Sequence, residues 1–132
     1  MFETLEKKRW LAITLTILIA IEIFWFSSLT ETTIISTGKP VASINAIVYH
    51  FSVFFLLTFF LLSSIKTKSK IKIKSLLITA IISILYAILD EFHQIFVPGR
   101  DGSIRDFMTD TIGIFFAVLI YFYISKKSKQ ST

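Results

Sequence analysis

Apolar residues fall in four long runs separated by polar stretches, at about residues 10–29, 44–65, 76–97 and 105–124. About 20 apolar residues cross a bilayer as a helix, so each run predicts one membrane-spanning helix. Glu22 interrupts the first run, and the third is strongly polar only near its end, in DEFHQ. The fourth is short as an apolar run, from Phe107 to Ile124, and is extended back into SIRDF. The first is long for a signal-peptide core and no small-residue cleavage site follows it, so it is read as a retained helix.

Within the runs the polar positions are ordered. Thr79, Ser83, Tyr86, Asp90, His93 and Gln94 recur at helical spacing and predict one polar stripe on the third helix. Glu91 lies about 100° round from Asp90, at the edge of that stripe. On the fourth helix Asp106, Asp110, Gly113 and Ala117 share a face whose small residues permit close helix packing. Pro98-Gly99 predicts a turn after the third helix. Ser103-Ile104-Arg105-Asp106 predicts a capping box opening the fourth.

Composition agrees with this pattern. The 132 residues suffice for one domain, 1–132, and 54% are hydrophobic, fourteen of them Phe. A soluble domain of this size could not bury them. The chain has no Cys, which excludes disulfides and thiolate metal sites. The expected fold class is all-α, an integral membrane bundle of four transmembrane helices.

The net charge of +5 is a topology signal and no argument for nucleic acid. Lys7, Lys8 and Arg9 precede the first helix, KTKSKIKIK joins the second to the third, and Lys126, Lys127 and Lys129 follow the fourth. Eleven basic residues thus lie on one side, against Lys39, Arg100 and Arg105 on the other. The positive-inside rule then predicts both termini in the cytoplasm of a multi-pass cell-membrane protein. KTKSKIKIK also has the form of a juxtamembrane segment that touches anionic lipid.

This topology places Glu22, His50, Glu91 and Asp110 roughly 6–10 Å below the outer ends of their helices, at 1.5 Å per residue. The inner halves of the spans contain no Asp, Glu, His, Lys or Arg. A carboxylate in hydrocarbon costs about 2.5 kcal/mol or more, so a functional site is the default reading of such a slab. His50 and the third-helix stripe are expected to face one another, with His50, Asp90 and His93 in one polar cluster. Simpler readings exist: Asp106 as a cap residue, Arg100 and Arg105 as loop charges, His50 or Glu22 as structural pairs. The adjacent pair Asp90 and Glu91 is hardest to dismiss, because two buried anions need compensation. Arg100, brought back by the Pro98-Gly99 turn, is the expected compensating charge. Divalent metal binding by Asp90, Glu91, His93 and Asp110 is chemically possible, but the spacing matches no recognised ligand set, and no metal or cofactor is expected. There is no HExxH, phosphate-binding glycine loop or Ser-centred nucleophile elbow.

YAILDEFHQIFVPGRDGSIRDFMTDTIG resembles the signature of the VanZ-like family of small membrane proteins. The resemblance falls on Asp90, Glu91, His93, Gln94, Arg100, Asp106, Asp110 and Gly113, and more loosely on FSSL at Phe26–Leu29 and on His50. It covers about residues 10–125. Asp110 stands where the family has Asn, and Ile47, Val53 and Phe54 stand where it often has Lys, Glu and Tyr. The resemblance implies a cell-envelope location and, through the family's founding member, a link to resistance to the glycopeptide teicoplanin.

Two functions from different classes are expected. In the first, Glu22, His50, Gln94, Arg100, Arg105, Asp106 and Asp110 bind an outer-leaflet lipid or envelope precursor, the arginines holding an anionic headgroup beside a helix N-terminus. In the second, Asp90, Glu91 and His93 are acid–base groups of an intramembrane enzyme acting on a lipid-linked phosphate or glycan. A proton-coupled carrier is disfavoured, because the inner halves hold no ionisable relay. A structural partner subunit would need no site at all.

Overall fold

The computed structural model describes residues 9–29, 44–65 and 72–128. The basic residues Lys7, Lys8, Lys39, Lys66, Lys68, Lys70 and Lys129 of the topology argument lie outside the described residues. Four α-helices make up the described fold: α1 Arg9–Ser27, α2 Ile44–Ser64, α3 Ile73–Gln94 and α4 Ile104–Ser128. All four are long and apolar enough to cross a membrane.

The packing is that of a bundle in which α2 and α3 each touch every other helix, while α1 and α4 do not meet. Ile19, Ile23, Val53, Phe54, Leu57, Ala87 and Ile114 form the main apolar core. A second cluster, of Leu62, Leu76 and Tyr121, fills the far end. Outside these, Ile13, Ile17, Leu18, Ile81, Leu85, Phe115 and many like them are exposed. An apolar exterior of this kind is what a lipid-facing surface requires.

The closest approach lies between α2 and α4. A Cβ at Gly113 would stand 2.5 Å from the Phe51 carbonyl oxygen and 3.2 Å from the Phe55 nitrogen. Gly113 therefore admits the α2 backbone itself, and Ala117 continues the small face in full burial.

The third helix runs from Ile73 to Gln94, about three residues earlier at each end than its hydrophobicity predicts. It stops before Pro98 because that ring disfavours helical conformation in the residue ahead of it. The segment tightens first, with Phe96 and Val97 donating to the His93 and Gln94 carbonyls at 3.0 Å. A turn follows, in which the Arg100 N–H donates to the Val97 carbonyl at 3.0 Å. Gly99 takes φ 78°, the left-handed value that the third position of a type II turn demands. The fourth helix runs to Ser128, beyond the Ile124 expected from its apolar run.

Candidate functional site

The ends of α1 and α3 and the starts of α2 and α4 lie at one end of the bundle, and the buried polar residues Ser27, His50, Asp90, Glu91, Gln94 and Asp110 gather there. They divide between two seams.

The first seam joins α1 to α3. Asp90 is buried, and its Oδ1 accepts from the Ser27 hydroxyl at 2.5 Å. Its Oδ2 accepts from the Gln94 amide at 3.0 Å, one turn further along α3. Beside it, His93 Nε2 lies 3.0 Å from the Ser28 hydroxyl, and its ring stacks on Phe24 with centroids 4.8 Å apart. The Ser28 hydroxyl donates to the Phe24 carbonyl at 2.7 Å, so it accepts from His93. Lower on the same seam, the Tyr86 hydroxyl donates to the Ala20 carbonyl at 2.7 Å. Tyr86, Asp90 and His93 of the predicted stripe therefore face α1.

The second seam joins α2, α3 and α4. His50 Nδ1 lies 3.0 Å from Asp110 Oδ1. Glu91 enters from α3: His50, Glu91 and Asp110 each offer a ligand atom, all within 4.8 Å of one another. The exposures of the three residues are 8%, 9% and 0%, so the group is largely buried. Glu91 Oε2 accepts the Ser103 N–H at 2.6 Å. Ser103 in turn caps α4, its hydroxyl accepting the Asp106 N–H at 3.3 Å. In a capping box the residue of the Asp106 position reaches back to the cap N–H. Here Glu91 takes that N–H, and the box is completed from another helix. Glu91 Oε1 and Asp110 Oδ2 remain buried without a hydrogen-bond partner.

Several expected members stand elsewhere. Arg100 does not reach the carboxylates. Its Nη2 donates to the Phe26 carbonyl at 2.7 Å and its Nε to the Leu29 carbonyl at 3.1 Å. The last carbonyls of a helix have no partners of their own, and a guanidinium fork satisfies them and complements the helix dipole. Arg105 is half-exposed and pairs with its neighbour Asp106 at 3.5 Å. Asp106 belongs to the cap. Glu22 is exposed and lies outside both buried networks. It precedes Ile23, which is on the buried face of α1, and one step of about 100° carries it off that face. His50, expected to share a cluster with Asp90 and His93, is paired with Asp110 across the other seam.

Ser27 and Ser28 enter the sequence reading only within FSSL, and Ser103 only as a cap, with no sign of the carboxylates they meet. Serines hydrogen-bond back to their own helix so readily that their pattern alone carries no signal; Ser28 does so here. Val53 and Phe54, at two of the departures from the family pattern, are buried in the apolar core.

A groove of about 370 Å³ opens beside the second seam. Its walls are Ile88, Phe92 and Ile95 from the end of α3 with Ile104 and Phe107 from the start of α4, and Glu91, Gly102 and Ser103 complete the lining.

Comparison with known proteins gives one family: the model described as VanZ/LLP1 matches residues 2–125, nearly the whole chain. No curated protein and no solved structure matches it.

Proposed function

Because the chain belongs to the VanZ/LLP1 family and forms four helices able to span a membrane, we propose that this multi-pass membrane protein binds a lipid or lipid-linked envelope component in the outer leaflet of the cell membrane. The observation that carries this reading is the groove between α3 and α4. Its walls are apolar, it lies on helices whose surroundings are acyl chains, and Glu91 with Ser103 stands in it. A hydrocarbon chain fits the walls, and a polar headgroup meets the carboxylate end of the bundle. Arg105, exposed next to Ile104, is the cation placed to meet an anionic headgroup at the mouth. The excess of basic residues toward the other end of the bundle supports an outward orientation for this one. Sequestration or alteration of an envelope precursor there would change the access of a glycopeptide such as teicoplanin to its target.

The acid–base reading draws less support. Both oxygens of Asp90 accept hydrogen bonds, and His93 is occupied by Ser28. Of the three groups it requires, Glu91 alone keeps an unpartnered oxygen.

Native mass spectrometry of the protein released from its own membrane tests the proposal. A retained lipid of defined mass is expected, and Ile95→Trp, which fills the groove, should release it. Lipids retained only in the proportions of the surrounding membrane, unchanged by Ile95→Trp, would count against it.

A further inference from the structure

We propose that His50, Glu91 and Asp110 hold a divalent transition-metal ion, Zn²⁺ fitting best. The inference goes beyond the lipid reading and does not depend on it, since it stands on the triad alone.

Three helices deliver one imidazole and two carboxylates to a single buried point. Each carboxylate uses one oxygen for a hydrogen bond: Glu91 Oε2 with the Ser103 N–H and Asp110 Oδ1 with His50. Each keeps the other oxygen buried and unpartnered, Glu91 Oε1 and Asp110 Oδ2. Buried carboxylate oxygens without donors are costly, and two at one place mark a missing electrophile. Among the described residues no Lys or Arg forms an ion pair with Glu91 or Asp110. Arg100 is occupied by the Phe26 and Leu29 carbonyls at the end of α1, and Arg105 by Asp106.

A dication answers both the charge and the geometry. A neutral imidazole with two carboxylates carries two negative charges, which one M²⁺ neutralises. Tetrahedral ligands about 2.1 Å from one ion stand about 3.4 Å apart, so a widest separation of 4.8 Å must close by roughly 1.4 Å. The side chains must rotate toward one another to supply that closure. The 3.0 Å between His50 Nδ1 and Asp110 Oδ1 already lies within about 0.4 Å of that spacing. A mixed nitrogen and oxygen donor set with no sulfur suits Zn²⁺, with Mn²⁺ a weaker competitor in the Irving–Williams order. The Ser103 N–H on Glu91 is the outer contact that orients a ligating carboxylate. Three protein ligands leave a coordination position open, and Glu91 also lines the groove, so the ion would stand at the groove's polar end.

The full chain, purified in detergent without added metal or chelator, is assayed for metal by mass spectrometry. About one Zn²⁺ per chain is expected. Treatment with EDTA should remove it and lower the melting temperature, and Zn²⁺ should restore both. Titration of the stripped wild-type protein with Co²⁺ should give visible d–d absorption that Zn²⁺ displaces. His50→Ala and Asp110→Asn should weaken Co²⁺ binding at least about tenfold. If these variants fail to fold, the wild-type titration decides. A chain that carries no metal, shows no Co²⁺ absorption and melts at the same temperature with and without EDTA overturns the site, and protons alone then neutralise the carboxylates. Lipid retention measured on the same samples separates the two proposals. Lipid held by a chain that never takes up metal refutes the cation site alone. Metal held by a chain that retains no lipid supports the cation site and refutes the lipid reading alone.

Discussion

Asp90 and Glu91 are neighbours in sequence and serve opposite seams of the bundle. Asp90 faces α1, and Ser27 from that helix and Gln94 from its own each donate to one of its oxygens. Glu91 faces α4, where it takes the Ser103 N–H and approaches His50 and Asp110. A helical step of about 100° separates the two side chains and turns them toward different helices.

The Ser27–Asp90 contact should be measurable as a coupling. Interhelical hydrogen bonds in membranes average about 0.6 kcal/mol, with a maximum near 1.7. Ser27→Ala is expected to destabilise by about 1–2 kcal/mol, since it strands one carboxylate oxygen. A double-mutant cycle with Asp90→Asn, read from denaturation in detergent, should return a coupling above about 0.5 kcal/mol. Simple additivity would show that the contact contributes nothing.

Arg100 closes the end of α1, so its loss should act on stability and leave the triad intact. Arg100→Ala is expected to lower the melting temperature, removing two charge-assisted bonds of about 1.5–3 kcal/mol each before solvent replaces them. Arg100→Lys should recover part of the loss, because an ammonium does not reproduce a planar fork across two carbonyls. Bound metal per folded chain should be the same in all three proteins. A fall in metal content with Arg100→Ala would place Arg100 back at the carboxylates.

Gly113→Ala tests the contact between α2 and α4. The added methyl would meet backbone at 2.5 Å, which no rotamer change relieves, so the helices must part. Overpacking of this kind costs about 1–3 kcal/mol. Melting of the variant should fall, and the His50–Asp110 contact between the same two helices should loosen with it, seen as weaker Co²⁺ binding. An unchanged melting temperature would mean that α2 and α4 pack less closely than described.

The orientation is open to single-cysteine labelling, which the absence of native Cys makes clean. Lys72→Cys, exposed at the start of α3, should react only from the cytoplasm. Asp101→Cys, exposed in the loop before α4, should react only from outside. Asp101 is preferable to Gly102, where a side chain would stand 2.9 Å from the Glu91 carbonyl. Labelling of residue 101 from the cytoplasmic side would invert the topology and move the groove to the inner leaflet.

Much of this protein is determined by the sequence itself. Four apolar runs make four spans because a bilayer demands internally satisfied backbone. The turn at Pro98-Gly99 and the Ser103 cap are local chemistry, and both are found where the residues predict them. The small face of α4 is legible from helical spacing, and the gathering of polar residues at one end follows from their depth along each run. What the tertiary structure decided is the rotation of each helix about its axis. In lipid the outward face is as apolar as the core, so hydrophobic periodicity, which orients helices in soluble proteins, says little. Glu22 therefore reads as a site residue but lies exposed. For the same reason His50 was expected beside Asp90 and is found on Asp110. Arg100 sits among candidate carboxylates in sequence, yet in space it donates to the Phe26 and Leu29 carbonyls at the end of α1. Partners that come from different helices are set by packing, and only packing brought His50, Glu91 and Asp110 to one point.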